Sequence, residues 1–86
     1  MENPFKKEER FWNHIKAVHY SDNFVVIFKT GEFEGGAPSH DHEGFLSRKL
    51  AFDYAKKCSD EGLVSYVIDI RYDEVIAYLT EFCERR

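Results

Sequence analysis

Long apolar runs, cysteine frameworks and any excess of basic charge are missing from this sequence, and each absence removes a class of function. No apolar run exceeds the five residues of Phe24–Phe28, far short of the ~20 that a membrane span requires, so no membrane partner is expected. The opening stretch Met1–Arg10 is charged and no apolar segment follows it. That pattern predicts no secretory leader and a cytoplasmic location. Cysteine occurs only at Cys58 and Cys83, too few and too far apart for a disulfide framework or a CxxC metal site. Both fall on apolar faces of predicted helices and are expected to be buried, reduced thiols. Twelve Lys and Arg stand against sixteen Asp and Glu, a formal net charge of −4. Nucleic-acid binding through a basic stripe that displaces phosphate counterions is therefore not expected.

Catalytic and nucleotide signatures are missing as well. Gly35-Gly36 does not extend to GxxxxGK[ST] or GxGxxG, so no phosphate cradle is indicated. Ser39-His40-Asp41 holds the residue types of a hydrolase triad, but neighbouring side chains diverge, whereas a triad must converge in space. Glu32, Glu34, Asp41 and Glu43 supply carboxylates for acid–base work, yet nothing in the pattern desolvates one against another. No catalytic residue and no cofactor are expected.

Aromatic residues, by contrast, are plentiful. Eight Phe, five Tyr and Trp12 make up 16% of a chain of 86 residues, enough bulk for the core of one compact domain over residues 1–86. Asn3-Pro4 reads as a cap and first helical position, and Phe11, Trp12, Ile15 and Val18 recur at helical spacing after it. A competing pattern pairs 15–20 with 24–30 as a hairpin around Ser21-Asp22-Asn23, leaving the end of this helix open. Phe24–Phe28 is apolar on both faces, which suits a central strand covered on both sides. Gly31 and the Gly35–Ser39 cluster predict a loop, and His42–Leu46 a short second strand.

Ser47 caps a helix to about Asp60, with Leu50, Tyr54 and Cys58 as its stripe, Ala51 and Ala55 beside it, and Gly62 closing it. Val64–Tyr72 alternates as a third strand. Asp73 then reads as the cap of a last helix with Val75, Ile76, Leu79, Phe82 and Cys83 on one side. The expected fold class is α+β, in the order α-β-β-α-β-α. Its three-stranded sheet is centred on about residues 24–30, with helices packed on the sheet.

Two surfaces compete as binding sites. The segment Phe33–Glu43 carries the aromatic Phe33 and the polar His40, Asp41 and His42. These four are the expected partner-binding residues, presented by a loop on a rigid strand. The acidic face of the last helix carries Asp73, Glu74, Glu81 and Glu84 but lacks an apolar anchor. The leading expectation is a small non-catalytic binding domain, an adaptor, regulator or inhibitor of phage or accessory-element type, whose partner is another protein. One alternative is a metal-binding protein or metal-dependent enzyme using His40 and His42, which point the same way in an extended segment. The other is a homodimer joined through an exposed strand edge.

Overall fold

In the computed structural model, residues 3–32 and 38–79 are described, and they form two helices and one four-stranded antiparallel sheet. A 3-10 turn over Pro4–Lys7 opens the chain, and the Asn3 side chain accepts a hydrogen bond from the Phe5 amide at its start. Helix α1 spans Glu9–Val18, β1 Phe24–Glu32, β2 Pro38–Phe45, α2 Arg48–Asp60, β3 Ser65–Asp69 and β4 Glu74–Leu79. The strand order is β2-β1-β3-β4.

The double apolarity of β1 sets the layering. Val25 and Ile27 point to one side, where they pack with Phe5, Trp12 and Ile15 beneath α1 and with Ile68, Ile70 and Val75. Phe24, Val26 and Phe28 point to the other, against Ala51, Ala55 and Cys58 of α2 and Val67 of β3. A strand buried on both faces must lie inside the sheet, and β1 runs between β2 and β3.

Helix α2 begins where Ser47 Oγ accepts from the Leu50 amide at 3.4 Å. It ends in a Schellman arrangement, with the Leu63 amide bonded to the Cys58 carbonyl and the Gly62 amide to that of Ser59. Gly62 sits at φ +85°, where a Cβ is unfavourable.

Four sequence expectations are corrected. The sheet has four strands, because residues 74–79 form β4 and not a helix. Asp73 lies at φ +55° in the β3–β4 turn; an N-cap needs extended backbone, so Asp73 cannot cap a helix here. The Val75, Ile76, Leu79 spacing comes from a bulge. Val67 pairs with Ala77 and Ile68 with Val75, leaving Ile76 as an extra residue. Val75 therefore packs on the α1 side, and Ile76, Ala77 and Leu79 on the α2 side.

The third strand is shorter than expected, Ser65–Asp69, and Tyr72 stands exposed in the turn beyond it. Residues 38–41 are strand and not loop, since β2 starts at Pro38. On α2, Leu50 is exposed and the buried stripe is Ala51, Ala55 and Cys58. Cys83, Glu81 and Glu84 lie outside the described residues.

Candidate functional site

Alternation along β2 places His42 opposite Ile27 and Gly44 opposite Val25, on the side covered by α1. His40, opposite Lys29, shares that side and sets its ring edge-on to Phe5 at 5.8 Å. Helix α1 ends above this row. His19, the residue just past its last turn, is buried, and its amide still bonds the Ile15 carbonyl.

From that fixed position His19 makes two side-chain bonds. Its Nδ1 meets Asp22 Oδ2 at 2.8 Å, and its Nε2 meets His42 Nδ1 at 2.8 Å. The result is a continuous chain, Asp22–His19–His42, running from the α1–β1 turn to the edge strand. Gly44 makes room for it: a Cβ there would overlap the Asp22 carboxylate and His19 Nδ1. The ring of His14, one turn back on α1, stands edge-on to His42 at 5.9 Å.

The protons of this chain follow from its partners. An ionised carboxylate only accepts, so His19 Nδ1 carries a hydrogen directed at Asp22. Between His19 Nε2 and His42 Nδ1 there is then space for one proton. Burial holds His42 below the usual histidine range and His19 adds to that, while Asp41 and Glu43 oppose it. His40 is likewise lowered by burial, against the pull of Glu8.

This end of α1 also borders a cleft of about 240 Å³ lined by Lys16, His19, Tyr20, Asp22, Ile70 and Arg71. It opens at the end of the sheet where β1 begins and β2 and β3 finish. Asn23 ties the segments together there. Its amide donates to the Phe45 carbonyl, its Nδ2 to the Leu46 carbonyl, and its own carbonyl accepts from the Ile70 amide.

Two cations at this end, Lys16 and Arg71, are answered within the chain. Arg71 Nε and Nη2 clamp both oxygens of Asp69 at 3.0 and 2.9 Å, holding that carboxyl below its ordinary range. Lys16 pairs with Asp73 at 3.4 Å.

Exposed apolar side chains gather at the same end. Tyr20 is 86% exposed, Tyr72 72% and Leu46 66%, and Val18 and Leu50 lie near them in sequence at the helix ends. Of the exposed large apolar residues described, only Tyr78 lies elsewhere, on β4.

No protein-family model, curated protein or solved structure matches the chain.

The residues singled out in the sequence fare unequally. Phe33 lies outside the described residues. His40, Asp41 and His42 belong to a paired strand and not to a loop, and His40 and His42 share a face but turn to different neighbours. Among the described residues no group of three His, Cys, Asp or Glu is placed to hold a metal ion.

His19 and Asp22 were missed by spacing alone. Their link to His42 depends on the β1–β2 register and on Gly44, neither of which a helical or strand period reveals. Of the acidic face, Asp73 is held by Lys16 and Glu74 begins a strand.

Proposed function

We propose that this chain is a small non-catalytic protein-binding domain, an adaptor, regulator or inhibitor, that docks through the end of the sheet carrying Tyr20, Leu46 and Tyr72. The observation that carries this reading is the concentration of exposed apolar side chains at that one end. Large aromatics left in water beside a cleft are the usual anchors of a protein interface.

The charge arrangement favours the same class of partner. With Lys16 and Arg71 already paired inside the chain and acids outnumbering bases sixteen to twelve, this end is a poor match for a polyanion such as nucleic acid or an acidic lipid surface. A partner with an apolar centre and a polar rim fits it better. The buried thiol of Cys58, raised above its ordinary range by burial, suits a reducing, cytoplasmic setting.

The test starts with affinity purification of the intact chain from its native host and continues with a titration of the identified partner. Tyr20→Ser combined with Tyr72→Ser should weaken that affinity by about tenfold or more. Stability should stay within about 0.5 kcal/mol, because both rings are exposed. Unchanged affinity in the double variant, with His40→Ala and Asp41→Ala weakening it instead, would move the site to the β2 edge.

A further inference from the structure

We propose that His19 and His42, joined across a single proton, form an acid-released latch that holds the turn 19–23, and with it Tyr20, against the edge strand. That the latch regulates binding rests on the docking surface proposed above; that it exists does not.

The geometry leaves little freedom. With the Nδ1 hydrogen of His19 committed to Asp22, the bond to His42 has three forms. In one, both rings are neutral and His42 Nδ1–H donates to His19 Nε2. In the other two a proton has been added at His42 Nε2, and the shared hydrogen sits either on His42 Nδ1 or on His19 Nε2. All three keep the bond, and none carries more than one positive charge. A second proton places two N–H groups face to face at 2.8 Å. The hydrogen bond is lost and two like charges meet.

The groups facing the pair decide whether the second proton can be tolerated. Asp22 faces His19 from the turn, and Lys16 and Arg71 line the same cleft. His14 faces His42 from α1, and Asp41 and Glu43 flank it on β2. The two flanking carboxylates favour a charged His42, whereas burial, His19 and His14 oppose it, with burial the largest influence.

The sign follows from that depression. A histidine held below its unfolded value stabilises the fold fully above the ordinary histidine range. That contribution is lost as pH falls through the folded value. Acid therefore opens the contact, and histidine is the side chain that titrates in this window.

The turn is the element free to respond. Its ties to the rest of the fold are the His19 amide on the Ile15 carbonyl at its start, the His19–His42 bond, and Asn23 at its far end, while the Asp22 amide bonds the His19 carbonyl within the turn. Losing the middle tie releases Tyr20 and Asp22, while Asn23 keeps β1 in place.

Amide hydrogen exchange on the intact chain tests the latch without a partner. Corrected for intrinsic rate and measured with a chelator present, exchange at residues 19–22 should rise about tenfold between about pH 7.5 and about pH 5. Amides of the β1–β3 pairing should not follow.

In His42→Gln that dependence should disappear while the core stays protected. Because loss of the fold in this variant would mask the effect, ring-nitrogen NMR of the unmodified protein gives a second reading. The His42 ring should take up its proton at lower pH than it does in the unfolded chain. A His42 ring that titrates at its unfolded value, or pH-insensitive exchange at 19–22, would overturn the latch. A surviving pH response in a folded His42→Gln would do the same. A latch that behaves as stated alongside a Tyr20→Ser, Tyr72→Ser variant that binds normally leaves the switch standing and removes only the docking surface.

Discussion

Gly44 shows how much one missing side chain can carry. It needs no unusual backbone; it needs emptiness, because His19 and Asp22 occupy the space a Cβ would take. Gly44→Ala must push apart a buried histidine and its carboxylate partner, and we expect a loss of about 1–3 kcal/mol in urea unfolding, as for other overpacked sites. A neutral result would mean that the Asp22–His19 bond is readily given up.

Asp69 offers a pH-dependent counterpart. Hydrogen bonds from Arg71 depress its folded-state value, so its contribution to stability is complete above the ordinary aspartate range and lost as pH falls through the folded value. Asp69→Asn should flatten the acid limb of the stability profile below about pH 4 and leave stability at neutral pH less dependent on acidification. An acid limb identical to that of the unmodified chain would show that the Arg71 clamp has no influence on folding.

Among the elements, the best-read were those whose signals are local. Ser47 as cap, Gly62 as terminator and the two-sided apolarity of Phe24–Phe28 are short-range features, and each leaves its mark in a few neighbouring residues. β4 was unreadable for a physical reason. A bulge adds one residue to a strand, and Val75, Ile76 and Leu79 then fall at the i, i+1, i+4 spacing of a helix. The Asp22–His19–His42 chain was hidden for another reason, since it joins residues three and twenty-three apart through strand register.

The strand assignment makes its own test. Val75 is buried on the α1 side, and Tyr78, stacked on Tyr66 on that same side beyond the bulge, is 42% exposed. Val75→Ala should cost about 1–3 kcal/mol and Tyr78→Ser less. A loss below about 0.5 kcal/mol for Val75→Ala would take Val75 out of the core and contradict the strand assignment. Ser47→Ala, which removes the bond to the Leu50 amide, should cost about 1 kcal/mol.

For the molecule as a whole, the two faces of the sheet are covered by α1 and α2, which leaves its ends and edges for contact with other molecules. The end bearing Tyr20, Leu46 and Tyr72 differs from an ordinary surface in two respects: its large side chains are apolar, and two of its cations, Lys16 and Arg71, are paired within the chain. Association there should be driven by removal of apolar surface from water, with charge acting mainly at the rim. Calorimetry with the identified partner should therefore show a negative heat-capacity change on binding. Because few ions are released, affinity should vary by less than about threefold as salt rises from about 50 to about 500 mM. Leu46→Ser should reduce the heat-capacity change along with the affinity, since both come from the same buried area. A steep fall of affinity with salt, together with a heat-capacity change near zero, would instead identify a charge-matched partner. It would then seek the chain's excess of acidic residues and not this apolar end.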